Sequence, residues 1–198
     1  MKAKQRIINE FKGEGREVID WTLYDSQYIA TASAVNRLTF FQNTVGGVGR
    51  ARTNMVNAGL MPSPEQFLVE EIYCLFVNDD GGALVYDKTN SVHPINVFLS
   101  QGFWDFTIEP AVKYQGHLSE LVFPFEENSM QDDNTPDTII FGEGHEYARL
   151  YLRKPFVLGS ARHFELTCTL TAPAAGNGYA IDDTLMYWFL KGWKRRNK

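Results

Sequence analysis

Hydrophobic and polar residues alternate along several short stretches of the chain, most regularly from His163 to Thr171. There Phe164, Leu166, Cys168 and Leu170 fall on one side of an extended backbone, and Glu165, Thr167, Thr169 and Thr171 on the other. Period-two alternation predicts a strand with one buried and one solvated face. The same logic predicts strands over residues 18–24, 35–42, 83–86, 95–99, 104–108, 118–125, 138–141, 147–152 and 184–190. Residues 67–77 are apolar on both faces in their second half, which predicts a central strand. The Ser63-Pro64-Glu65-Gln66 run before it resembles a helix start, so a helical turn passing into that strand is expected.

Other elements break the alternation. Residues 2–12 place Ile7, Ile8 and Phe11 on one helical face, closed by Gly13 and Gly15, and predict one short helix that must dock to be stable. Residues 43–64 contain Gly46, Gly47, Gly49, Gly59, Pro62 and Pro64 and predict a long irregular connection, a type of loop that is usually functional. Residues 126–137 and 172–178 read as further loops, and Asn78-Asp79-Asp80-Gly81-Gly82 as a turn. Many short strands with few helices predict an all-β antiparallel sandwich or barrel. The expected organisation is an arm at residues 1–17, one β domain at 18–190 and a tail at 191–198.

The 198 residues include 14 Phe, 9 Tyr and 4 Trp, enough to fill the core of a single folded domain. No apolar run approaches the roughly 20 residues of a membrane helix, and the Met1-Lys-Ala-Lys-Gln-Arg6 start lacks an apolar centre, so a soluble, non-secreted product is expected. Two cysteines, Cys74 and Cys168, both within apolar surroundings, predict buried free thiols.

Charge is segregated. The net charge of -5 resolves into about -12 for residues 18–190, +2 for residues 1–17 and +5 for residues 191–198. An acidic body with a basic end predicts that Lys191, Trp193, Lys194, Arg195, Arg196 and Lys198 touch an anionic partner.

Motifs for chemistry are weak. Gly46-Gly-Val-Gly49-Arg50 lacks the lysine and hydroxyl of a phosphate loop. Asp132-Asp133-Asn134 with Asp137 lacks the spacing of a calcium loop, and Asp79-Asp80 and Asp182-Asp183 sit in turns. Glu143, His145 and Glu146 could share a strand face suited to a metal, without a readable set of further ligands. The expectation is a protein that is not an enzyme and holds no cofactor.

The order of features resembles structural proteins of bacterial viruses with a jelly-roll body. The resemblance is carried by the aromatic strands at 21–24 and 38–42, the Thr53-Asn54-Met55 to Leu60-Met61-Pro62 loop leading into Phe67-Leu68-Val69, and the late alternating strands ending in an aromatic strand with a basic tail. It implies an eight-stranded, two-sheet jelly-roll-like sandwich. It also implies a homo-oligomeric ring or trimer placed in the virion as capsid, minor capsid or decoration protein, made in the host cytoplasm and contacting other virion proteins but no small-molecule substrate. On that resemblance Ile7, Ile8 and Phe11 dock on a neighbouring subunit. Arg50, Arg52, Asn54 and Met55 join an interface, and the basic tail faces nucleic acid, a membrane or acidic subunits. The alternatives are a carbohydrate-binding jelly roll using Trp104, Tyr114, Tyr147 or Tyr151, and a cupin-like enzyme using His145 with Glu143 or Glu146.

Overall fold

The alternation at Phe164 folds as expected: in the strand Phe164–Thr169, Phe164, Leu166 and Cys168 are fully buried and Thr169 is exposed. Thr167 departs from the pattern at 6% exposure, because Thr39 and Asp105 flank it in register on the two neighbouring strands. The computed structural model describes residues 2–13, 16–29, 37–78, 84–85, 102–120, 138–139, 150–169 and 184–197. In chain order these form α1 (Lys2–Phe11), β1 (Arg16–Ile29), β2 (Arg37–Phe40), α2 (Val45–Val48), β3 (Gln66–Asn78), β4 (Leu84–Val85), β5 (Phe103–Ile108), β6 (Ala111–His117), β7 (Thr138–Ile139), β8 (Leu150–Leu158), β9 (Phe164–Thr169) and β10 (Thr184–Asn197).

Eight strands build two four-stranded antiparallel sheets, in the orders β1-β10-β3-β8 and β2-β9-β5-β6; β4 and β7 pair separately. The protein is therefore an all-β sandwich. Its pairings are nested: β1 with β10, β2 with β9, β3 with β8 and β5 with β6.

Between the sheets lies an aromatic core. Trp188 of β10 and Trp104 of β5 meet with ring centroids 5.6 Å apart, Phe40 lies 6.1 Å from Trp188, and Phe106 lies 5.1 Å from Phe156. Each buried ring of this size contributes roughly 2–3 kcal/mol by leaving water, and each ring pair about 0.5–1.5 kcal/mol more. Cys74 neighbours Trp188 and Cys168 neighbours Trp104 in register, and both thiols are free and buried, with burial pushing Cys168 up to about 12.

Several boundaries differ from the sequence reading. Ser63-Pro64-Glu65-Gln66 forms no helix: residues 63–64 turn around a cis Ser63-Pro64 bond and β3 begins at Gln66. Leu118–Glu120 is a 3-10 turn, not the start of a strand, and β6 precedes it. β8 continues past residue 152 through Pro155, which an edge strand tolerates because one row of its amides needs no partner. Predicted strands at 95–99 and most of 118–125, and the loops at 126–137 and 172–178, lie outside the described residues.

The largest correction concerns the basic end. Lys191 to Asn197 is the second half of β10, paired with β1 throughout and with β3 as far as Arg195. It is the interior of a sheet and not a tail. A bulge at Lys191/Gly192 makes this possible, and it demands glycine, since a Cβ at position 192 would overlap the Leu68 carbonyl.

Candidate functional site

A groove of about 530 Å³ runs beside the free edge of β1. Its walls are Asp20 to Tyr24 on the strand and Val45, Met55, Val56 and Leu60 to Pro62 on the connecting loop, with Glu65 and Lys194 at one end. The loop is irregular for the reason its glycines suggest, yet it is fixed at several points.

Asn54 does most of the fixing. Its Oδ1 accepts from the Tyr24 amide at 2.9 Å, its Nδ2 donates to the Thr22 carbonyl at 2.7 Å, and its own amide donates to the Tyr24 carbonyl at 3.2 Å. One side chain thus imitates a further strand for a single step and then stops. Thr53 forms an isolated bridge with Asp25, and Arg52 Nε donates to Ser26 Oγ at 2.7 Å. On the outer face of the sheet the Tyr24 and Tyr187 hydroxyls donate to the carbonyls of Arg50 and Ala51 at 2.6 and 3.0 Å. Phe189 stacks between them and Tyr73, its ring centroid 4.7 Å from that of Tyr73. Gly59, at φ +64°, donates to the Phe41 carbonyl and accepts from Phe164, and a side chain there would overlap the His163 ring.

Asp25 anchors the loop's start. Fully buried, it accepts from the Phe41 amide at 2.5 Å and so holds Phe41 at φ +66°, a conformation costing about 1–2 kcal/mol in a residue other than glycine. Burial pushes the Asp25 carboxyl up, against hydrogen bonds from Asn43, Phe41, Thr53 and Ser26.

At the groove's end the expected polyanion contacts turn inward. Lys194 pairs with Glu65 at 2.5 Å and lies over the Trp21 ring at 5.1 Å, and Arg196 reaches the same carboxylate at 3.7 Å. Arg195 donates to the Gln66 side chain and the Phe11 carbonyl and covers the Phe11 ring. Trp193 donates to Glu70 at 2.7 Å beneath the Lys12 ammonium. Four of the six residues expected to meet an anionic partner, Trp193, Lys194, Arg195 and Arg196, are engaged within the chain; Lys191 is half-buried and Lys198 lies outside the described residues.

The expected interface residues divide similarly. Phe11 is 4% and Met55 2% exposed, both against their own chain, and Asn54 and Arg52 are spent on β1. Ile7 and Ile8 are half-buried, and Arg50 is exposed. Among the sugar-stacking candidates Trp104 is a core residue, Tyr114 donates to the Lys154 carbonyl at 2.6 Å and Tyr151 is exposed; Tyr147, Glu143, His145 and Glu146 lie outside the described residues. Residues 46–50 fold as the end of α2 and a turn. The sequence reading gave Trp21 no role beyond its aromatic strand; it stands 36% exposed on the groove wall, on the parity of buried Leu23, and the glycine opposite it at position 192 is the one sequence signal of that opening. No family model, curated protein or solved structure matches the chain.

Proposed function

We propose that this protein is a structural virion protein, a capsid or capsid-associated subunit built on a jelly roll. One observation carries the reading: the eight sandwich strands pair first with last, second with seventh, third with sixth and fourth with fifth. A long hairpin wrapped into two sheets produces that nesting, and viral capsid domains, lectins and cupins share it.

The filling of the sandwich favours the shell over the other two. A cupin-like enzyme needs polar ligands inside the barrel, and this interior is occupied by Trp104, Trp188, Phe106 and Phe164. A sugar-binding sheet needs several free aromatic rings, and of its candidates among the described residues Trp104 is buried and Tyr114 is tied to the Lys154 carbonyl, which leaves Tyr151 alone exposed. What the surface offers is a firmly held loop and open strand edges, the features through which copies of one chain associate. Expression of the chain alone, followed by electron microscopy, tests the proposal. Rings or closed particles of uniform size support it; unassociated subunits at every concentration and salt tried overturn it.

A further inference from the structure

Sheet edges are where a sandwich can add strands, and among the described residues three of the four edges of the two large sheets are wholly or partly closed. Gln27 donates to the Thr39 carbonyl and Asp25 accepts from Phe41, covering β2. Pro155 interrupts the amide row of β8, and Tyr114 occupies the Lys154 carbonyl. The loop covers β1 from Thr22 to Ser26 through Asn54, Thr53 and Asn43.

The rest of β1 is open. Tyr24 turns both its amide and its carbonyl to Asn54, so even-numbered residues of β1 direct their backbone away from β10. Val18 and Asp20 therefore present N–H and C=O groups that meet no partner among the described residues. The groove lies directly along the continuation of this edge, with half-exposed Trp21 and the apolar Val56, Leu60 and Pro62 beside it. An extended segment laid there would gain ladder hydrogen bonds from the edge and side-chain contacts from the groove.

Among the described residues the other edge without a covering partner is β6, which bulges outward in register at Lys113. Its seven residues are exposed or half-exposed, it holds no proline, and Val112 is 54% exposed next to exposed Lys113. Its charge is basic where that of β1 is acidic, at exposed Glu17 and Asp20. We propose that β6 of a second copy adds to the β1 edge at Val18 and Asp20, with its Lys113 facing Asp20 and its Val112 entering the groove beside Trp21. The contact joins unlike surfaces, so repetition closes a ring when the rotation allows. This inference rests on the shell reading and specifies its contact.

Three single variants, one double variant and one exchange measurement test it. Asp20→Pro removes an outward amide together with the Asp20 carboxylate but no hydrogen bond to β10, so the subunit keeps its near-ultraviolet circular dichroism while self-association weakens at least tenfold. Asp20→Lys and Lys113→Asp each weaken association, and the two together restore it to within a few fold. In the wild-type assembly the Val18 amide exchanges at least a hundredfold more slowly than in the Asp20→Pro subunit. Assembly with a fast-exchanging Val18 amide, or no rescue in the charge-swapped pair, overturns the β6–β1 contact and leaves the shell reading standing. A wild-type chain that never associates overturns both.

Discussion

Lys194 Nζ lies 2.5 Å from a carboxylate oxygen of Glu65, and the two side chains are only 13% and 18% exposed. A lysine near the end of the chain is thus tied to the residue that precedes β3. Replacing Lys194 with Met leaves Glu65 with only the more distant Arg196, and we expect a loss of about 2–3 kcal/mol, below the roughly 3–5 kcal/mol of a buried charge left with no partner. Glu65→Gln added to Lys194→Met should recover part of that loss. Urea unfolding of the two variants beside wild type reads both effects.

Removing residues 191–198 should abolish folding. The segment supplies half of β10 and its ladders to both β1 and β3, together with Trp193 and Arg195 over α1. A tail that served only as a polyanion contact would be removable with the circular dichroism spectrum intact; we expect the β signal and the cooperative thermal transition to disappear.

The sandwich was legible in the sequence where neighbours along the chain decide burial. Phe164 to Thr169 and Trp104 to Ile108 alternate, and they form β9 and β5. β6 was hidden because Ala111 to His117 lies at an edge and is largely exposed on both faces, so no hydrophobic period marks it. The end of β10 was misread for a different reason. Lys194 keeps the parity of core Trp188 and Leu190, an extra residue at Glu70 of β3 brings it into register with core Phe67, and its charge is answered by Glu65, more than a hundred residues earlier. Such compensation leaves no local pattern. The groove shares that property, since Trp21, Asn54 and Leu60 come together only when the loop folds back on β1.

Asn54→Ala should loosen the loop without unfolding the sheets. Two side-chain hydrogen bonds to β1 are lost, one from the Tyr24 amide and one to the Thr22 carbonyl. At the usual net worth of a hydrogen bond this costs about 1–3 kcal/mol. Faster amide exchange at Tyr24, with Leu190 and Ile72 unchanged, is the expected local signature.

Asp25 should impose an unusual pH dependence. Its carboxyl is raised in the folded state above the ordinary 3.8, chiefly by burial. The folded protein therefore holds this proton more tightly than the unfolded chain. The resulting stabilisation is complete below about 3.8 and is lost as pH rises through the folded-state value. Asp25→Asn keeps an acceptor for Phe41 and removes the titration. Its stability, followed by urea unfolding from pH 4 to 7, should lack the decline with rising pH that this group contributes in wild type.

The central claim is that the chain is a self-assembling shell subunit, and its mass in solution tests that most directly. Sedimentation of the purified chain over a hundredfold range of concentration should show conversion from subunit to one defined oligomer or closed particle. A single species of 22.6 kDa across the whole range would contradict it.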